Sequence, residues 1–324
     1  MARRAFIAAA GSAAAWPYAA FAQRSRVPQV GLLYPGPKVA APPRVAALLS
    51  GLQAGGFVEP DQMTLIQQIT DGNSALVGPM VAELAKRSVD LIVAISSTGV
   101  RAARAATTTI PVVALDLESD PVAEGYIANY ARPGGNITGV FLDFPDFSKK
   151  WLEALKEAAP QVSTVAVFRD PGTGPVQMQA VEVAARELEL KLVALQVGGR
   201  AEIAPAFQSA VRQGAGMLLM LSSPLIGGNT KLLAELALTH RLPAMTLFTE
   251  FARDGGLMAY GPNLLANYRQ TGVMAARVLR GTKPGDVPIE TPTKFQFVLN
   301  LRAAKQLGLT VPPSVLLRAD DVIE

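Results

Sequence analysis

The sequence predicts an α/β protein of two lobes, each a parallel sheet covered by helices, joined through a hinge. Three observations predict it. Short apolar runs of strand length alternate with amphipathic segments of helix length along most of the 324 residues. The alternation breaks at Pro133-Gly134-Gly135-Asn136, which is strong turn chemistry, and then starts again. The elements after residue 255 are too few for a third domain, so they are expected to complete the two existing sheets, with the chain crossing between lobes about three times.

The elements follow in order. VPQVGLLYPG (27–36) is a strand entering a loop, and RVAALLSGLQAGGF (44–57) is a helix closed by Gly55-Gly56. MTLIQQIT (63–70) is a strand, ALVGPMVAELAKRS (75–88) a helix and VDLIVAISS (89–97) a buried strand. TGVRAARAAT (98–107) is the next helix, and IPVVALDLESD (110–120) is a strand with acids at its C-terminal end. Connections in such a βαβ series are right-handed. Beyond 131–146 the series resumes with KKWLEALKEAAPQ, VSTVAVFRDPGTGP, VQMQAVEVAARELELK, LVALQVG, AEIAPAFQSAVRQGA and GMLLMLSSPL. KLLAELALTHRLPAMTLF adds a helix and a strand. Residues 255–288 read as a strand and a long helix capped by Asn263 and ending at Gly281. Residues 292–312 read as an alternating strand running into a short helix. The expected lobes are 27–139 with 258–291, and 140–257 with 292–324, with no residue-level repeat between them.

The first 22 residues stand apart. Arg3-Arg4, a mostly apolar run from Phe6 to Ala15 and Ala20-Phe21-Ala22 have the layout of a cleaved export signal. Pro17 interrupts the stretch, which is short for a permanent anchor. Arg3-Arg4-Ala5-Phe6-Ile7 also approaches the twin-arginine pattern, leaving both export routes open.

Composition narrows the function. Half of the residues are hydrophobic and 17% are charged, as in a globular chain. The absence of cysteine excludes disulfides, thiolate metal sites, a Cys nucleophile and a lipid-modified N-terminal Cys. One histidine, His240, excludes a multi-histidine metal site, and it is placed to cap a helix C-terminus instead of serving a triad. The net charge of +4 is spread without a long basic run, which argues against nucleic acid as a partner. No nucleophile elbow, phosphate loop or dinucleotide fingerprint is present, and no cofactor is expected.

Binding without catalysis fits the remaining pattern. In open α/β sheets ligands sit beyond the C-terminal ends of the strands. The loops there carry Tyr34, Ser96, Ser97 and Thr98, Arg169 and Asp170, and Ser222 and Ser223. Hydroxyls and N–H groups at a helix start hold a carboxylate, Arg169 can pair with one, and Asp116, Asp120 or Glu250 can take an ammonium. Tyr34, Phe251 and Tyr260 offer apolar or stacking contact. Asp116, Glu118 and Asp120 also cluster as the carboxylates a hydrolase would need.

Several stretches carry a resemblance that spans the chain: the RRAFI…FAQ leader, GLLYPG, AATTTIPVV, DPVAEGYIANYARPGGNITGV, KKWLEALKE, GGLMAYGPNL and PTKFQFVLNLRAAKQLGLTVPPSVLLRADDVIE. They resemble the ABC-transporter substrate-binding proteins of the tryptophan/tyrosine-type group. That likeness implies two Rossmann-like lobes in the periplasmic-binding-protein-like type I fold, and a periplasmic role delivering a small molecule to an inner-membrane permease. It implies ligand contacts at Tyr34, Ser96, Ser97, Thr98, Asp120, Asp170, Ser222, Glu250 and Tyr260. RDPGTGP, SSTG and LDLESDP depart from the family's usual loops, so they bear on ligand identity and not on fold. The expectation is a monomeric, non-enzymatic binder of an amino-acid or carboxylate-type solute. A sensor domain for a receptor or a cleft-carboxylate hydrolase is the alternative.

Overall fold

A computed structural model describes residues 26–142 and 144–324, with backbone alone at Pro145 and Asp146. The expected export signal lies outside the described residues. The elements are β1 (Gln29–Tyr34), α1 (Ala41–Ala54), β2 (Thr64–Ile69), α2 (Val77–Lys86), β3 (Leu91–Ile95), α3 (Ser96–Ala106), β4 (Val112–Asp116) and β5 (Ile137–Phe141). They continue with α4 (Phe144–Ala158), β6 (Thr164–Arg169), α5 (Val176–Glu187), β7 (Lys191–Gln196), α6 (Arg200–Arg212), β8 (Met217–Met220), α7 (Pro224–Gly227) and α8 (Thr230–Thr239). Last come β9 (Ala244–Thr246), α9 (Thr249–Arg253), β10 (Met258–Pro262), α10 (Leu264–Leu279), β11 (Phe295–Asn300), α11 (Leu301–Leu307), α12 (Pro313–Leu316) and β12 (Asp321–Ile323).

Two sheets result. The first runs β2-β1-β3-β4-β5, all parallel, and the second runs β12-β11-β10-β9-β8-β6-β7, antiparallel only between β10 and β11. Helices cover both faces of the first sheet, which is why its inner strands β1, β3 and β4 are apolar at consecutive positions, whereas the edge strand β2 is not. Leu32, Val93 and Leu115 point into the core shared with Leu48 and Leu52 of α1, whereas Leu33, Ala94 and Ala114 meet Val81 and Leu84 of α2 and Val100 of α3. Alternation of side chains along each strand sorts the residues between the two faces.

The chain passes between the sheets after β5, after β10 and before β11. The second passage corrects an expectation. Residues 258–262 were assigned to the first lobe, but β10 pairs with β9 and β11 in the second sheet, and the crossing follows at Pro262-Asn263. The division expected at 139/140 likewise falls inside β5, which is whole in the first sheet. Glu290 then adds to the free edge of β5, where Phe141 N–H donates to Glu290 O at 3.0 Å and Glu290 N–H donates to Gly139 O at 3.0 Å.

Asn263 caps α10 as expected, its side chain accepting from Ala266 N–H at 2.9 Å. α10 returns to lie on α1, and the two backbones touch at Gly51 and Gly272, where neither residue has room for a Cβ. An aromatic group roots the three passages in the second lobe. Phe147 contacts Trp151 at 4.8 Å, Tyr260 at 5.0 Å and Phe295 at 5.3 Å between ring centroids. Trp151 Nε1–H donates to Tyr260 O at 2.7 Å. Among the described residues no helix is long and apolar enough to cross a membrane.

Candidate functional site

The C-terminal ends of the strands in the two sheets face one another and enclose two chambers. The inner cavity, about 60 Å³, has room for roughly four or five water molecules. The first lobe gives it Tyr34 at the end of β1, Arg44 on α1, Ser96 at the start of α3, and Leu115, Leu117 and Glu118 at the end of β4. The second lobe closes it with Ser222, Ser223, Pro224 and Phe248, and α10 adds Leu264 and Tyr268. The outer chamber, about 420 Å³, has Thr98, Asp170, Arg200 and Asn229 among its walls. Pro35, Pro37 and Pro224 stand in the walls of both.

Each charged group at the inner cavity is held by a local device. β3 passes into α3 without a loop because Ser96 takes φ +66°, a left-handed backbone that few residues other than glycine adopt. That turn aims the α3 N-terminus at β4, and Glu118 Oε2 accepts from Ser97 N–H at 3.0 Å and from Ser97 Oγ–H at 2.9 Å. Glu118 Oε1 makes no hydrogen bond to a described residue. Glu118 is only 5% exposed, and burial pushes its carboxyl well above the usual range, with the charges of Asp116 and Asp170 adding and Ser97 opposing.

Asp116 stands behind that loop. It accepts from the N–H of Glu118 at 2.9 Å, the N–H of Ser119 at 3.1 Å and the Ser119 hydroxyl. Complete burial raises it to about 7 against those hydrogen bonds. Arg44 is buried, donates from Nη1 to the Tyr34 hydroxyl and pairs through Nη2 with Glu250 Oε1 of the second lobe at 3.5 Å. The lobes also meet where Arg101 Nη1–H donates to Gly172 O at 3.0 Å.

The structure thus brings Tyr34, Ser96, Ser222 and Ser223 to the inner cavity, and Thr98 and Asp170 to the outer chamber. Ser97 and Glu250 stand behind, on Glu118 and Arg44. Asp116 is a turn acceptor, and so is Asp120, which accepts from Val122 N–H at 2.8 Å and Ala123 N–H at 3.2 Å. Neither is in the wall of a chamber, nor is Arg169 at the end of β6. Phe251 is fully buried core, pressed on the backbone at Gly256. Tyr260 belongs to the aromatic group below the crossings, away from both chambers. His240 ends α8 and stacks on Phe207 at 5.7 Å, in a packing role.

Glu118 stands in the inner wall with Arg44, Phe248, Leu264 and Tyr268, and the last four carry no sequence expectation. For Leu264 and Tyr268 a signal existed, since their i, i+4 spacing places them on one face of the helix that Asn263 starts. Arg44 had none, as it reads as the exposed face of an amphipathic helix. Glu118 was visible as one of three acids, but only the fold shows which of them turns toward the cavity.

Two α/β lobes, three crossings and a chamber at the facing strand ends define the periplasmic-binding-protein type I fold. Within it, the chain belongs to the ABC transporter substrate binding protein family, whose model matches residues 41–323. It is similar to a tyrosine-binding protein of Clostridioides difficile strain R20291, with 22% identity over 263 residues, 81% of this chain and 75% of that one. Among solved structures it is similar to a conserved domain protein from Vibrio cholerae (24% identity, TM-score 0.85, covering 92% and 100% of the two chains). It is also similar to an ABC domain in complex with L-Trp from Streptococcus pneumonia (24% identity, TM-score 0.81, covering 91% and 99%).

Proposed function

We propose that the protein is the extracytoplasmic, monomeric binding component of an ABC importer and captures a small amino-acid-type ligand between its lobes. The observation that carries this reading is Glu118, a buried carboxylate whose Oε1 has no hydrogen bond to a described residue, in the wall of an otherwise largely apolar interlobe cavity. A buried anion without a counter-charge is costly, and a ligand ammonium would relieve that cost. Tyr34, Phe248, Tyr268 and the leucines supply apolar contact, and the rest of the ligand extends past the three prolines into the outer chamber.

No covalent step is required. The ligand touches both lobes, so it favours the closed arrangement by the difference in its affinity for closed and open forms. A permease that recognises the closed form then receives loaded protein. The tyrosine and tryptophan named for the relatives support an amino-acid ligand, and the leader-like start supports export.

Native mass spectrometry of freshly purified protein, followed by calorimetry with the twenty amino acids, tests the reading. The expected result is one retained or titratable ligand per chain, with a smaller radius of gyration by X-ray scattering on saturation. A mass without ligand, no heat from any amino acid and an unchanged radius would overturn it.

A further inference from the structure

We infer that the interlobe cavity reads the cationic amine of its ligand and not a carboxylate, so that organic amines without a carboxyl group are ligands of the same site. The inference rests on the interlobe reading above and names which end of the ligand the protein recognises.

The protein's own groups already engage several of the anion-holding devices around the cavity. The Arg44 guanidinium is engaged by the Tyr34 hydroxyl and by Glu250 Oε1 at 3.5 Å. At the α3 N-terminus, where a ligand carboxylate would be expected to sit, Ser97 N–H and Oγ–H are taken by Glu118 Oε2. The Ser223 hydroxyl accepts from Ile226 N–H at 3.2 Å to cap α7, and its own proton faces the Asp170 carboxylate. Behind the loop, Asp116 holds the N–H groups of Glu118 and Ser119.

On the cation-holding side one acceptor is left over, although Asp170 already accepts from Gly172 N–H at 2.8 Å. Glu118 is 5% exposed, stands in the cavity wall and has Oε1 without a hydrogen bond to a described residue. The rings of Phe248 and Tyr268 line the same small space beside Tyr34, whose ring already carries the Arg44 guanidinium at 5.8 Å, and aromatic faces attract ammonium groups. From the second lobe, Asp170 lies beside the Ser223 hydroxyl in the outer chamber, and its charge acts on Glu118 across the cleft. An ammonium within this ring of aromatics answers Glu118 of the first lobe, with Asp170 of the second lobe in the adjoining outer chamber. A ligand carboxylate placed there would face Glu118.

Calorimetry on the dialysed full chain with L-phenylalanine, phenethylamine and 3-phenylpropionate tests this. The three share a ring and differ in which charge they carry. Phenethylamine is expected within about 10-fold of phenylalanine, whereas 3-phenylpropionate binds at least ~100-fold more weakly. Glu118→Gln is expected to lower phenethylamine affinity about 100-fold and Asp170→Asn about 10-fold, with melting temperature and circular dichroism checking that each variant folds. Should phenylalanine bind while phenethylamine does not, the inference falls and the amino-acid reading stands. Tighter binding of 3-phenylpropionate than of phenethylamine also overturns it. If none of the three binds, and no amino acid does, both readings fall together.

Discussion

Replacing Gly272 by alanine tests whether the packing of α10 on α1 sets the shape of the inner cavity. An added Cβ would lie 2.1 Å from Leu48 O, 2.9 Å from Gly51 Cα and 2.9 Å from Leu52 N. All three are backbone atoms of one helix, so no side chain can turn aside. α10 must withdraw by about 1 Å, and overpacking of this kind costs about 1–3 kcal/mol. For a chain of this size that lowers the melting temperature by roughly 2–5 °C. Leu264 and Tyr268 ride on α10 and would leave the cavity wall with it, so ligand affinity falls as well. Differential scanning fluorimetry reads the first effect and calorimetry the second. Gly78→Ala in α2 is the control, because an added Cβ there meets nothing within 4 Å. It should leave the melting temperature unchanged or raise it slightly. Gly51→Ala opens the same gap, so the double variant should cost less than the sum of the two. A Gly272→Ala protein that melts and binds like the parent would refute the reasoning.

Three further outcomes are expected. Asp116 is raised to about 7 in the fold from an ordinary value of 3.8, so the native state holds its proton over a range where the unfolded chain releases it. Its contribution to stability is therefore full below about pH 4 and is lost as pH rises toward 7 and above. Asp116→Asn should flatten the fall in melting temperature across that window, and an unchanged pH profile contradicts the assignment. Glu250→Gln removes the anion on Arg44. Because the Glu250 side chain is 44% exposed, closure weakens by only about 1 kcal/mol or less, but the freed guanidinium should raise the affinity for phenylalanine relative to phenethylamine in calorimetry. Trp151→Phe deletes the donor to Tyr260 O, leaving a carbonyl short of a partner at a cost of about 1–3 kcal/mol, which thermal unfolding reads as a lower midpoint.

The order of elements was legible because the inner strands, such as β1, β3, β4 and β8, are covered on both faces and read as runs of consecutive apolar residues, unlike the helices between them. What failed was assignment near the crossings. MAYGP has the same character whichever sheet it joins, and Gly255-Gly256 looks like a boundary although the chain crosses only after β10. β12, with three residues and an acid at its start, is too short to show a pattern. In the site, Tyr34, Ser96, Ser222 and Ser223 were legible because they end strands of parallel sheets, where topology alone places them at the cleft. Phe251 and Tyr260 were misplaced because an aromatic beside a loop is as well suited to packing beneath it as to touching a ligand. Arg44 and Tyr268 sit on helices, and their place in the wall arises only when α1 and α10 meet.

The aromatic group beneath the crossings makes the joint between the lobes lopsided. Phe147, Tyr260 and Phe295 lie just beyond the three passages on the second-lobe side and touch one another, so those roots move with the second sheet. Two of the passages are also tied together, with Asn263 N–H donating to Lys294 O at 2.9 Å. Any change in the angle between the lobes must then be taken up on the first-lobe side, by a paired strap and one separate strap. Such a mounting favours a swing, like a door hung on one frame, over a twist or a slide.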